Sequence, residues 1–303
     1  MENMPPRLSV ITTVYNGEAF LQETLSAVLA QTFTDFEWVV VNNGCTDGTQ
    51  AILDGAGDAR LRVIHAPSHG TFGDGIRLAY ENAKGEFVAV QDADDVPMED
   101  RFAQQIAAFE QDETLGLVSS AFEDIDQDGK HLSFTRPPLE LQGLVDAFQT
   151  TNPLAHSTYM YRKAASEAVG GYPDQFAYGP DFALVIRLIK AGWRVRVLED
   201  VLLKLRQHVG QASLAPALSV TRAHDAYYLY KEASELADVS PTARRAGTRN
   251  VVKCKMRYAL ALIREGRQSE GFGLLIGALV RHPLYSAAYL GYRFAKGLGL
   301  IRS

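Results

Sequence analysis

Phe87-Val88-Ala89-Val90-Gln91-Asp92-Ala93-Asp94-Asp95 is the stretch on which the reading of this 303-residue chain turns. Four apolar residues in a row read as a buried strand, and three carboxylates follow at its C-terminal end. In open α/β sheets, ligands bind in the crevice outside the carboxyl ends of the strands. Carboxylates crowded there repel one another unless a cation neutralises them, and hard divalent cations prefer carboxylate oxygens. Taken alone, the acidic run also reads as a solvated turn before a helix opened by Pro97, because Asp is common ahead of helices for capping reasons. Its surroundings decide between the two.

On the N-terminal side, Leu8–Thr13 is a β-branched run, and Phe20, Leu21, Leu25, Val28 and Leu29 recur at helical spacing. Phe36–Val41 is a second strand, broken at Asn42-Asn43-Gly44, with Asp47 and Thr49 suited to cap a helix through Leu53. Leu61–Ile64 is a third strand, and Ile76–Ala83 a helix ended by Gly85. Strands alternating with helices over short connections predict a mostly parallel sheet.

On the C-terminal side, Pro97–Phe109 predicts a helix and Leu115–Phe122 a strand, with an Asp-Gly turn at Asp128-Gly129. Arg136–Gln149 reads as a mobile connection holding a short helix. Thr158–Arg162 is the next strand, Phe182–Ala191 an amphipathic helix, and Val195–Leu198 and Val201–Leu205 two further strands. From about Leu218 only helical periodicity remains. The boundary therefore falls near Leu214–Ser219, between a domain over 1–214 and a helical extension over 215–303.

Composition bounds the function. With 47% hydrophobic and 22% charged residues the chain is ordinary globular protein, and its net charge of −6 argues against a nucleic-acid partner, which needs a basic face. Two cysteines, Cys45 and Cys254, make no disulfide framework and suggest a reducing compartment. Met1–Arg7 lacks the apolar core of a signal peptide, and Gly271–Val280 is too short to span a bilayer. The expectation is a cytoplasmic protein. Tyr285, Tyr289, Tyr292 and Phe294, mixed with Arg281, Arg293 and Lys296, leave open a peripheral contact of the C-terminal helices with the inner face of a membrane, against simple packing onto the rest of the chain.

The series Leu8–Thr13 with Val14-Tyr15-Asn16-Gly17, Gln31-Thr32-Phe33, Val39–Val41, Thr46-Asp47-Gly48-Thr49, Ala83-Lys84-Gly85-Glu86 and Asp92-Ala93-Asp94-Asp95 resembles the inverting family 2 glycosyltransferases of GT-A fold. The likeness continues through Asn152, His156, Arg162, Gly170-Gly171-Tyr172 and Asp181…Arg187-Leu188…Gly192, and ends near Ser213. It implies a nucleotide-diphospho-sugar donor, a glycan or lipid-linked acceptor, and a divalent cation, Mn2+ or Mg2+. It implies Asp94 and His208 as metal ligands, and Asp92 as a contact to the ribose or, through water, to the metal. The donor would lie against Thr13, Tyr15, Asn16, Asn43, Arg77, Asp92, Ala93, Arg206 and His208, with His156 toward the acceptor. Asp181 matches the base that draws the proton from the acceptor hydroxyl.

Each assignment has a structural alternative. Asp181 also suits the N-cap of a helix starting at Phe182, Arg77 a solvated helix face, and His156 a satisfied structural histidine. The chain departs from the family pattern where Pro180 replaces an acidic residue, and where Asn42-Asn43-Gly44-Cys45 carries no Asp to accept a uracil imide hydrogen. Asn43 accepts such a bond only without charge assistance. Two other readings stay open. A nucleotidyltransferase would want a basic Gly-rich loop near the first strand, which Asn16-Gly17-Glu18 is not, and a binding module without activity would explain Pro180 and the paired asparagines.

Overall fold

In a computed structural model of the chain, residues 5–66, 70–211 and 219–297 are described, those from 292 on as backbone only. Of the expected boundary at Leu214–Ser219, residues 214–218 lie outside the described residues. The chain divides into two compact units, Met1–Leu144 with Asn152–Ser213, and Val145–Thr151 with Leu214–Ser303.

The first unit opens as the alternation predicts: β1 (Leu8–Val14), α1 (Leu21–Leu29), β2 (Phe36–Asn42), α2 (Thr49–Asp54), β3 (Leu61–His65), α3 (Phe72–Glu81) and β4 (Phe87–Val90). Strands β3, β2, β1 and β4 lie side by side in parallel, with Ile11 opposite both Val39 and Val90. Both faces of β1 and β4 are buried, which explains their unbroken apolar runs. Val10, Trp38, Val40 and Ala89 form a core with Leu21, Leu25, Phe102 and Ile106 from the helices. Because the strands run in parallel, the segments after β1, β2 and β4 all emerge at one sheet edge.

The later half departs from expectation. Pro97 does not open a helix: Val96–Pro97 is a short strand, β5, and the helix α4 starts at Arg101 and runs to Gln111. After β6 (Leu115–Ile125) comes a hairpin strand, β7 (His131–Thr135), between the expected Asp128-Gly129 turn and the expected connection, where the sequence pattern predicts no element. The short helix α5 (Leu141–Ala147), a 3-10 turn at His156–Thr158, β8 (Met160–Arg162), α6 (Lys163–Ala168) and α7 (Pro180–Lys190) follow. The two strands expected at 195–205 are one strand, β9 (Arg194–Arg206), in which Glu199 and Asp200 bulge out between Leu198 and Val201. Strand β8 is antiparallel to β4 and β6 on either side, so the order β3-β2-β1-β4-β8-β6-β9-β5 is parallel in its first four strands and mixed beyond.

The second unit holds α8 (Val220–Ala233), α9 (Pro241–Arg264), α10 (Gln268–Arg281) and α11 (Pro283–Gly297). It also takes in Val145–Thr151, because the buried Gln149 side chain donates to Ala233 O at 2.8 Å and the Gln149 backbone carbonyl accepts from Asn250 Nδ2. No helix among the described residues is long and apolar enough to cross a membrane.

Candidate active site

The segments after β1 and β2 are stitched together. Asn16 takes the left-handed conformation (φ 51°), which Asn tolerates better than most residues, and its Oδ1 accepts from Thr46 N at 2.9 Å. Gly17 N donates to Thr49 Oγ1 at 2.8 Å, and Asp47 receives Glu18 N, Thr49 N and Thr49 Oγ1. The half-buried Cys45 joins the same lattice, donating to Val14 O and accepting from Asn16 N. Tyr15 projects from this loop, 52% exposed. Thr13 is buried against α3, where a Cβ on Gly75 would fall 2.0 Å from its Oγ1, an atom with no hydrogen-bond partner among the described residues.

The acidic run after β4 splits by depth. Asp95 is buried, and its Oδ1 accepts the Arg206 amide at 2.9 Å. Burial holds the Asp95 carboxyl well above the usual carboxylate range, and the charges of Asp94 and Asp92 push the same way. Asp92 is raised too, by burial first and then by the Asp94 and Asp181 charges, while His156 and the Ser157 hydroxyl pull against the shift. Asp94 turns toward His208, whose Nε2 lies 2.9 Å from its Oδ2. The His208 ring packs on Phe20 at 4.6 Å between centroids, and its Nδ1 accepts from Gly210 N. Ala93 contributes its carbonyl to Thr24 Oγ1, which fixes the loop to α1.

Beneath this loop lies Arg101, fully buried at the start of α4. Its guanidinium donates to Gln91 Oε1, Val90 O and Tyr159 O, so one cation ties the ends of β4 and β8 behind the carboxylates. Desolvation brings its pKa down to about 9, with Asp95 and Asp92 opposing. The sequence carries no sign of this role, since a cation in the first turn of a helix opposes the helix dipole and reads as a surface residue.

Asp181 arrives from the other direction. Gly179 is the N-cap of α7, in the left-handed conformation (φ 78°) open to glycine, and Pro180 takes the first helical position, where its missing N–H costs nothing. Asp181 is therefore the second residue of the helix and not its cap. Its Oδ2 accepts from Asn152 Nδ2 at 3.4 Å, and the same amide group donates to Tyr159 OH. Burial raises its pKa to about 6, against the backbone amides of Phe182 and Asp181 itself. His156 lies within electrostatic reach of Asp92; burial lowers its pKa to about 4, so its ring is neutral near pH 7. Its Nε2 bonds Tyr172 OH at 2.9 Å, while its Nδ1 is buried without a hydrogen-bond partner among the described residues.

Asp92, Asp94, His156, Asp181 and His208 thus belong to one neighbourhood at the carboxyl ends of the strands. Three other expected residues sit differently. Arg206 does not reach outward: its guanidinium, only 2% exposed, donates to Asp94 O, Asp126 O, Gln127 O and, at 2.5 Å, Glu23 Oε2. Its donors are drawn inward because β9 ends directly beneath the acidic loop. Asn43 is buried, and its carboxamide pairs with Gly70 in both directions, at 3.1 Å each way, holding the entry to α3. Arg77 pairs with Asp74 at 2.6 Å and lines a cavity of about 360 Å³ with Tyr80, Tyr172 and Arg187, a lining that includes neither Asp94 nor Asp181. The cause is that α3 begins at Phe72, through a Thr71–Asp74 capping box, and not at Ile76 as expected.

Comparison with known proteins fits this geometry. A family model described as Glycosyl transferase family 2 matches residues 9–170. The chain belongs to that family. This glycosyltransferase is 25% identical over 210 residues to the putative glycosyltransferase EpsE of Bacillus subtilis, covering 68% of the chain and 74% of that protein. It is 24% identical over 194 residues to the hyaluronan synthase of Pasteurella multocida, covering 63% of the chain and 19% of that larger protein. Among solved structures it resembles S. aureus TarS 1–349 in complex with UDP-GlcNAc, with a TM-score of 0.67 at 18% identity over 95% of this chain and 92% of that one. It also resembles the mannosyltransferase PcManGT of Pyrobaculum calidifontis, in complex with GDP-Man and Mn2+, with a TM-score of 0.59 at 20% identity over 98% of this chain and 81% of that one. These likenesses establish the GT-A fold.

Proposed function

We propose that this glycosyltransferase moves a sugar, with inversion, from a nucleoside-diphosphate donor to a hydroxyl of a glycan or lipid-linked acceptor in polysaccharide or cell-envelope glycan assembly. The observation that carries the reading is Asp181, a carboxylate with a pKa of about 6 held within electrostatic reach of Asp92. An acceptor hydroxyl is a poor nucleophile until its proton is drawn off, and a base titrating near the working pH does this best. Asp181 accepts that proton as the acceptor oxygen attacks the anomeric carbon. The bond from that carbon to the diphosphate breaks, and the nucleoside diphosphate departs with the electron pair.

No group of three or more His, Cys, Asp or Glu side chains suited to hold a metal is gathered among the described residues. Two donors, Asp94 and His208, do face each other. Two protein ligands suit Mn2+ or Mg2+ in a site where substrate phosphates and water complete the shell. When bound there, the cation would stabilise the negative charge that develops on the leaving diphosphate. Asp92 and the exposed ring of Tyr15 complete the donor side in this reading, and neutral His156 lies toward the acceptor. Mn2+ in the complex of PcManGT and the UDP-GlcNAc of the TarS complex support the donor class. The hyaluronan synthase among the relatives supports a glycan product.

Calorimetry of UDP and GDP binding in Mn2+ against EDTA tests the cation. Affinity at least about tenfold higher with Mn2+ is expected, and equal affinities in both would remove the metal from the reading. A thermal-shift panel of sugar nucleotides then identifies the donor, because a ligand bound only by the folded state raises stability with its affinity.

A further inference from the structure

The helical unit presents a surface that catalysis does not use. Residues 215–303 contain 14 Lys and Arg against 6 Asp and Glu, a net charge of +8, while residues 1–214 carry 16 against 30, a net of −14. From Gly271 to the last residue there is no Asp or Glu at all. On α10, Phe272, Ile276, Leu279 and Val280 are 52%, 59%, 38% and 78% exposed. At about 100° per residue these four fall within a single arc of roughly 100°, one continuous apolar stripe. Leu284, at the start of α11, is 83% exposed as well.

Two of the aromatic residues that the sequence suggests for such a contact are taken up by the core of the unit. Tyr285 and Tyr289 pack onto the core formed by Val252, Met256 and Ala278. The side chains of Tyr292, Arg293, Phe294 and Lys296 lie outside the described residues.

Cations border the stripe. Lys255 Nζ rests 3.2 Å from where a Cβ on Gly277 would stand, one residue beyond Ile276. Burial lowers the Lys255 pKa, and the neighbouring charges of Arg281 and Lys231 lower it further, so three cations crowd together. None of the three forms an ion pair among the described residues. Such a cluster is relieved by anions brought from outside, and an apolar stripe beside it is relieved by a phase that excludes water. An anionic bilayer surface supplies both at once.

We infer that α10 lies in the plane of an anionic membrane interface, with Phe272, Ile276, Leu279, Val280 and Leu284 among the acyl chains and Lys231, Lys255 and Arg281 at lipid phosphates. A helix of 14 residues is only about 21 Å long, too short for a hydrocarbon core of about 30 Å, which fits an in-plane position and not a crossing. The inference rests on the helical unit alone and holds whether or not the reaction assigned above is correct.

Co-sedimentation of the full chain with vesicles of phosphatidylcholine alone, or with about one third phosphatidylglycerol, tests it. The wild-type chain is expected to bind the anionic vesicles and to release as salt rises. The triple variant F272S/I276S/V280S, checked for an unchanged far-UV spectrum and melting curve, should partition at least about tenfold more weakly. The pair K255Q/R281Q should lose the preference for anionic over neutral vesicles. If the triple variant misfolds, the single exposed change Ile276→Glu serves instead, with a several-fold loss expected. Unchanged binding by the stripe variants overturns the inference. So does a wild-type chain that ignores vesicles, including one that self-associates through the stripe and becomes monomeric in the variant.

Discussion

The loop after β4 and the N-terminus of α7 bring carboxylates within electrostatic reach of one another by opposite means. Asp92, Asp94 and Asp95 ride on a loop that is tied down on every side, by Thr24, Ser157, Arg206 and Gln91. Asp181 stands on the second residue of a helix with Asn152 as its one side-chain hydrogen-bond donor among the described residues. The first region spends its contacts on position, which under the proposed function would hold Asp94 toward a cation. The second leaves a carboxylate half-buried and partly desolvated, which raises its affinity for a proton. A fixed anion and a tuned base are different products of the same residue type, and the surroundings make the difference.

The sharpest way to break this contrast is Asp181→Asn, which keeps the shape and removes the basicity. Transfer should fall by at least about a hundredfold while UDP and Mn2+ binding stay within about twofold. Near-normal transfer would return Asp181 to a structural role.

Next is Asp94→Asn, where the opposite pattern is expected. Calorimetry should register a loss of at least about tenfold in Mn2+-supported nucleotide binding, with EDTA-state binding unchanged. An Asp94→Asn protein whose nucleotide affinity still depends on Mn2+ would move the cation site elsewhere.

Arg206→Leu probes the tethering itself. It strips partners from three backbone carbonyls and from Glu23, at a cost of about 3 kcal/mol, which for a unit of this size lowers the melting temperature by roughly 6–12 °C. A melting curve unmoved by this change would show that the acidic loop is not held from beneath.

The smallest effect is the most specific. The pKa of about 6 for Asp181 makes kcat/KM rise with pH through that value and level off above it, since only the deprotonated carboxylate accepts a proton. Burial lowers the His156 pKa to about 4, which keeps it off this limb. Asn152→Ala removes the side-chain donor to the Asp181 carboxylate, so the limb should shift to higher pH with about a threefold loss of rate at pH 6. A pH profile that keeps its midpoint in Asn152→Ala would exclude this hydrogen bond from the tuning.

What the sequence by itself determined is the alternation of apolar strands and amphipathic helices through Val90, because periodicity and unbroken β-branched runs are local properties. Asp92 and Asp94 follow from it, since a strand's C-terminal end in a parallel sheet is a place that order alone defines. That Asp181 and His208 lie near this loop was suggested only by family resemblance, because they are 87 and 114 residues beyond Asp94 and no local pattern brings them back to it. Tertiary structure decided the rest. Pro97 became a strand because β9 offered a partner opposite Leu203 and Lys204. Arg206, Asn43 and Arg77 were drawn to neighbours whose proximity depends on register and helix start, quantities that shift with a single residue. Arg101 and Gln149, polar residues that read as surface, are buried because the backbone carbonyls around them need donors. Whether an Asp binds a cation, pins a strand end or accepts a proton is set by what desolvates it and what donates to it, and those groups come from every part of the chain.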